Sequence, residues 1–204
     1  MKIFITLNLS KIRTLSVIKN LITLNLIKIR TLSVIKILTT LNVVKAEDVS
    51  FEEWNNIMAT NLNGPFLCSQ AAFPALLVAG GSIVNITSIS GVRASTLRLA
   101  YGTSKAALMH MTKQLAVEYG NQGVRVNAVA PGPVETEMAK LVHSADIRTS
   151  YKDAIPLSRY GTVEEIANTV YFLCSPEASY VNGQILAVDG GFDAAGVGLP
   201  SLRE

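Results

Sequence analysis

The chain has 204 residues, 49% hydrophobic and 16% charged, enough apolar material for one ordinary domain and too little charge for a disordered chain. Its net charge of +3 is unevenly placed: residues 1–45 hold eight Lys/Arg and no acid, which leaves ten Lys/Arg against fifteen Asp/Glu in residues 46–204, a net of −5. A mildly acidic body is a poor binder of polyanions, so the basic isoelectric point is no sign of nucleic-acid binding.

The first segment, residues 1–45, carries an internal repeat. LNLSKIRTLSVIKNLIT (7–23) is followed at once by LNLIKIRTLSVIKILTT (24–40), identical at fourteen of seventeen positions. Seventeen residues leave a helix about 100° out of register, and an odd period turns a strand to its opposite face. Neither geometry stacks the copies, and no Gly, Pro or Asp in 1–45 turns the chain between them. The segment therefore reads as a recent duplication at the gene level. The alternative is a targeting or membrane-surface segment, since it is basic, contains Ser/Thr and lacks acids. Against that, its charges and its Leu/Ile positions both spread around a helical wheel, leaving no clean amphipathic face. No window reaches the ~18 uncharged apolar residues of a membrane span.

Residues 46–204 read as alternating helices and strands. Ser50 and Glu53 have capping-box spacing ahead of a long apolar helix that Gly80–Gly81 ends, with Phe51 and Trp54 as packing anchors at its start. SIVNI (82–86) is a short buried strand, followed by a Ser/Gly-rich loop (87–100). A helix over 101–119 is closed by Gly120 and Gly123, and VRVNAVA (124–130) is a strand stopped by Pro131–Gly132. Residues 137–160 are polar, irregular and lid-like. Thr162 and Glu165 open a helix through Leu173, and GQILAVDGG (183–191) is the last strand. This alternation predicts an α/β fold with a parallel sheet covered on both faces, and ligands then sit beyond the carboxyl ends of the strands. Cys68 and Cys174 read as buried small hydrophobes with no metal spacing. His110 reads as a surface or interface residue, and His143 as a lid residue that could touch a substrate.

The chemistry concentrates on Tyr101 and Lys105, four apart on a predicted helix and so on one face. A cation a turn away favours the phenolate and draws the phenol's pKa toward neutral. Ser88, at the mouth of the preceding strand, could hydrogen-bond the same substrate oxygen. Alone, the Tyr/Lys spacing is an ordinary helix-surface pair. Its weight comes from the ordered set NITSISG (85–91), YGTSK (101–105) and NAVAPGPVET (127–136).

On these motifs residues 46–204 resemble the short-chain dehydrogenase/reductase family. The resemblance implies a three-layer Rossmann-like parallel sheet and a catalytic tetrad of Asn61, Ser88, Tyr101 and Lys105. In that family the Tyr is the general acid/base, the Lys lowers its pKa and holds the nicotinamide ribose, the Ser polarises the carbonyl and the Asn positions a water. Pro131, Gly132, Val134 and Thr136 would line the nicotinamide and diphosphate side of an NAD or NADP cofactor. The implied reaction moves a hydride between the nicotinamide and a small-molecule carbonyl or alcohol. The implied assembly is a homodimer or homotetramer through the helices at 51–77 and 101–119, the implied location is cytoplasmic, and no metal, nucleic acid or membrane span is called for.

The resemblance stops at the amino-terminal half. The family opens on a strand and a Gly-rich turn that receives the diphosphate, whereas the first glycine here is Gly64. The family's Asn-Asn-Ala-Gly segment and the residue that selects NAD or NADP are absent as well. Gly196 and Gly198 follow the last strand but open no helix. The fold expected is therefore a sheet truncated at its amino-terminal half, with 1–45 covering part of the exposed side of the strand at 82–86. Two functions follow: an active oxidoreductase, or a catalytically inactive remnant that at most oligomerises.

Overall fold

The computed structural model describes residues 5–7, 35–37, 41 and 43–196. Most of the repeat lies outside them. Within residues 1–40 a pair of short parallel strands is described, β1 (Ile5–Leu7) and β2 (Ile35–Ile37), in the register Ile5↔Ile35 to Leu7↔Ile37.

The body is built on three parallel strands in the order β3 (Ser82–Ile86), β4 (Arg125–Pro131), β5 (Ile185–Val188). Ser82 to Ile86 pair with Arg125 to Val129, and Ala128 to Pro131 pair with Ile185 to Val188. β4 is central, and its Val126, Ala128, Val129 and Ala130 are fully buried, as a strand covered on both faces must be. Successive residues point to opposite faces. Ile83 and Val126 enter one core with Cys68, Ala72, Leu76, Leu115 and Ala116; Val84 and Val129 enter the other with Val170, Leu173 and Cys174. Helices thus lie on both faces, giving the three layers expected. β2 runs beside β3, though no ladder joins the two sheets among the described residues.

Helices α1 (Phe51–Met58) and α2 (Gly64–Ala79) are joined without a break by a π-helical turn, Ala59–Asn63. Ser50 Oγ accepts from Glu53 N at 3.1 Å, and Gly80, with φ +64°, ends the run. By length and composition the helical run Phe51–Ala79 could cross a bilayer. In the fold, its Ile57, Cys68, Ala72 and Leu76 are buried instead. Phe51 is not the anchor its sequence position suggests, being 79% exposed. Six residues turn the helix by about 240°, so when Ile57 faces the core Phe51 faces away.

After β3 come a single turn, α3 (Ile89–Val92), and the long helix α4 (Leu99–Gly120). The lid at 137–160 is not irregular. It holds two helices, α5 (Glu137–Val142) and α6 (Ala145–Ala154), capped by Thr136 and Ser144, whose side chains accept from Ala139 N and Ile147 N. Their polar composition hid them, because short surface helices bury little and rely on their caps. α7 (Val163–Cys174) begins with a complete capping box between Thr162 and Glu165.

Candidate active site

The carboxyl end of β3 fixes the first part of the site. Thr87 is tied to β4 twice, its backbone N–H and its hydroxyl both donating to Val129 O, at 2.8 and 2.9 Å. Ser88 follows as the cap of α3, with Oγ accepting from Ser90 N at 3.1 Å. α3 then lies directly against α4. A Cβ on Gly91 would stand 2.7 Å from Ala106 N, so only glycine permits this approach. The contact sets the Ser88 loop against the helix that carries Tyr101 and Lys105.

The Ser88 hydroxyl is near enough to the Tyr101 phenol to draw its pKa down, and Lys105 Nζ stands 5.8 Å from the centre of the Tyr101 ring. Lys105 is 3% exposed and donates to Ile86 O at 3.1 Å. Burial holds its pKa down at about 8. Tyr101 does not have the lowered pKa expected of it. Burial raises it first, while the Ser88 hydrogen bond and the nearby Arg98 charge pull it down and Tyr151 pushes it up. Arg98 is the cation that draws the phenol's pKa down, and the Lys105 amine lies buried beside the Tyr101 ring.

Asn61 sits in the π-helical turn between α1 and α2, the kind of helix irregularity that often marks functional positions. Only 2% exposed, it donates from Nδ2 to Ser104 Oγ at 3.0 Å, and Ser104 Oγ donates to Tyr101 O at 2.7 Å. Asn61, Ser88, Tyr101 and Lys105 thus meet in one connected cluster.

The four residues expected along the cofactor lie in the loop leaving β4. Gly132 N donates to Val188 O at 3.0 Å, and a Cβ there would come within 2.7 Å of Asp189 Cα. Val134 bridges Gly161, and Thr136 caps α5. With Pro131 they form the rim of the strand next to the cluster. A buried ammonium, a phenol and a hydroxyl at this edge fit the ribose and carbonyl of a nicotinamide half. Nothing in the sequence before Gly64 fits the diphosphate half, which needs close backbone approach through glycine.

The lid adds groups that sequence reasoning undervalued. Tyr151 stacks edge-on against Tyr160 and Phe192, with ring centres 5.9 and 6.0 Å away, and lies 5.3 Å from His143. His143 Nδ1 meets Tyr160 Oη at 2.9 Å. Burial, then Arg98 and Arg148, hold His143 below its usual pKa. Arg148 lies over Tyr160 and pairs with Glu135. The available signal for Arg98 was its place three residues before Tyr101, on the same helix face. His110 is exposed as expected, near Gln114, and Cys68 and Cys174 are free and buried. Among the described residues no cluster of His, Cys, Asp or Glu could hold a metal.

A family profile described as Enoyl-(Acyl carrier protein) reductase matches residues 35–193. The chain is 42% identical over 144 residues to the 3-oxoacyl-[acyl-carrier-protein] reductase FabG of Aquifex aeolicus (strain VF5), covering 70% of this chain and 58% of that one. It is 44% identical over 143 residues to the galactitol 2-dehydrogenase (L-tagatose-forming) of Cereibacter sphaeroides, covering 68% and 56%. The chain therefore spans less than three fifths of the length of these relatives. Among solved structures, a short-chain type dehydrogenase/reductase from Mycobacterium ulcerans superposes with a TM-score of 0.83 at 31% identity, covering 89% of this chain and 67% of that one. A gluconate 5-dehydrogenase from Burkholderia cenocepacia J2315, in complex with NADP and tartrate, superposes at 0.80 with 27% identity, covering 89% and 72%.

Proposed function

Since this chain belongs to the short-chain dehydrogenase/reductase family, we propose that it is an NAD(P)-dependent oxidoreductase acting on a small-molecule carbonyl or alcohol, with Tyr101 as its general acid/base. The observation that carries the reading is the buried Lys105 amine set 5.8 Å from the centre of the Tyr101 ring, on the side chain whose phenol Ser88 also influences. The nicotinamide, when bound, supplies or accepts the hydride. Lys105, with Tyr101, would hold its ribose, and Pro131, Gly132, Val134 and Thr136 would line its edge.

The protein's own part is proton chemistry and positioning. Ser88 Oγ donates to the substrate oxygen and holds the reacting carbon against Tyr101. In reduction, Tyr101 Oη gives its proton to that oxygen; in oxidation, it takes the proton back. Burial keeps the phenol protonated at neutral pH, which suits it as the acid. Asn61 holds the first turns of α4 through Ser104, which fixes the Tyr101 backbone. The same reading gives a homodimer or homotetramer through α1, α2 and α4, where Phe66, Val78 and Val117 are exposed.

One observation favours a second reading, a non-catalytic remnant: no glycine precedes Gly64 to receive a diphosphate. Fluorescence titration of the purified chain with NADH and with NADPH separates the two. Micromolar binding to a monodisperse protein is expected of the enzyme. Absent or millimolar binding would favour the remnant.

A further inference from the structure

The backbone of the rim after β4 is held at its start, its middle and its end. At the start Gly132 N donates to Val188 O at 3.0 Å, and at the end Thr136 caps α5. The middle leans on a short strip of chain just before α7. Gly161 N donates to Pro133 O at 3.0 Å, and Gly161 O accepts from Glu135 N at 2.9 Å. The two bonds grip Val134 in one parallel bridge, and the Glu135 side chain is tied separately to Arg148. Where the middle of the rim stands therefore depends on where Gly161 stands.

Gly161 is in turn flanked by groups bound to one carboxylate. Thr162 N, the next residue, donates to Glu165 Oε2 at 2.7 Å. Arg159, two residues before, donates to the same carboxylate twice, from Nη1 to Oε2 at 3.0 Å and from Nη2 to Oε1 at 2.7 Å. Arg159 Nη1 also donates to Tyr160 O at 3.0 Å. A Cβ on Gly161 would stand 3.5 Å from Glu165 Oε2 and 3.8 Å from Pro133 O, so the strip lies between the carboxylate and the rim. Capping α7 does not require all of this. The capping box is complete with Thr162 and Glu165, and the Arg159 fork adds no bond to the helix end. It closes a loop around Gly161 instead, and a two-point guanidinium–carboxylate contact fixes orientation as well as distance. Both side chains are about half exposed, where an ion pair contributes little to global stability. Its effect is local.

We propose that Glu165 is a positioning residue for the cofactor: acting through Gly161, its carboxylate fixes the Pro133–Glu135 stretch against which the nicotinamide lies. This rests on the oxidoreductase reading above. Removing the carboxylate releases Thr162 N and Arg159 together, and the rim loses its backing. Removing the Thr162 hydroxyl takes away only the bond from Glu165 N, at 3.2 Å, and leaves the carboxylate's own bonds in place.

The test compares Glu165→Ala, Glu165→Gln and Thr162→Ala in the full chain. Amide hydrogen exchange is read residue by residue by NMR, and NADH affinity by fluorescence titration. Glu165→Ala should speed exchange at Gly161 and Glu135 by about threefold to tenfold and weaken NADH binding by a similar factor. The Gly132 amide, held by β5, should keep its rate. Glu165→Gln, whose side-chain oxygen still accepts from Thr162 N, should recover most of both losses. Thr162→Ala should lower the melting temperature while leaving the two rim amides and the NADH affinity near wild type. Unchanged exchange at Gly161 and Glu135 in a folded Glu165→Ala variant, equal loosening at Gly132, or an equal effect of Thr162→Ala overturns the proposal. So does wild-type NADH affinity with a loosened rim. If the wild-type chain does not bind NADH, the oxidoreductase reading fails, and exchange at the two amides still decides whether Glu165 fixes this stretch.

Discussion

Replacing Lys105 by methionine separates the cost of burying an ammonium from everything else in the site. Lys105 is 3% exposed, and burial lowers its pKa from 10.5 to about 8. At about 1.4 kcal/mol per tenfold change, that shift corresponds to roughly 3 kcal/mol of destabilisation carried by the charged form in the folded state. Between pH 8 and 10.5 the unfolded chain holds a proton on Lys105 that the folded chain has released. Stability therefore rises with pH across that window, is flat below it with the full cost present, and is flat above it with the cost gone. Methionine has no such titration. Urea denaturation of wild type and Lys105→Met at half-unit steps from pH 7 to 11 gives two curves whose difference removes the other titrating groups. The wild type should gain roughly 3 kcal/mol on the variant as the pH climbs through the window. At neutral pH the variant should lose less than an ordinary buried substitution, because the lost bond to Ile86 O is offset by relief of the buried charge. A difference that stays level, or that falls with pH, would mean that the ammonium is better solvated than its position indicates.

Tyr101→Phe should lower turnover by about 10² to 10⁴ while leaving the thermal melt close to that of wild type, read by steady-state NAD(P)H absorbance and by calorimetry. Ser88→Ala removes a hydrogen bond that pulls the Tyr101 pKa down; the limb of the pH–rate profile that reports this phenol should move to higher pH, and a shift to lower pH would contradict the geometry. Gly132→Ala places a methyl group 2.7 Å from Asp189 Cα; the loop leaving β4 must move, costing about 1–3 kcal/mol, read as a lower melting temperature.

Much of the body was legible in the sequence because its signals are strong and local. The buried runs SIVNI and VRVNAVA became β3 and β4 to within a residue, and Thr162 with Glu165 formed the full capping box their spacing announces. The motifs singled out Asn61, Ser88, Tyr101 and Lys105, and the structure sets Lys105 beside the Tyr101 ring and joins Asn61 to the same helix through Ser104. The pKa logic was less legible. Four residues of spacing put Lys105 beside Tyr101, but spacing carries no information on burial, and burial dominates both groups. The lid helices were missed because polar residues give no hydrophobic period to detect. In α1 the apolar Phe51 looked like an anchor only because composition was read without the helical angle that turns it outward.

The order of strands has a consequence for how the molecule comes into being. β4 is flanked by one neighbour made before it and one made well after it, and Gly132 is pinned only when Val188 and Asp189 are in position. During synthesis the acid/base residues can gather early, since the segment from Asn61 to Lys105 is finished long before the chain ends. The rim from Pro131 to Thr136 must wait for the final strand to leave the ribosome. Until then, the central strand has a bare edge exposed to other chains, so losing residues 185–204 would produce an aggregating product with the acid/base segment already made.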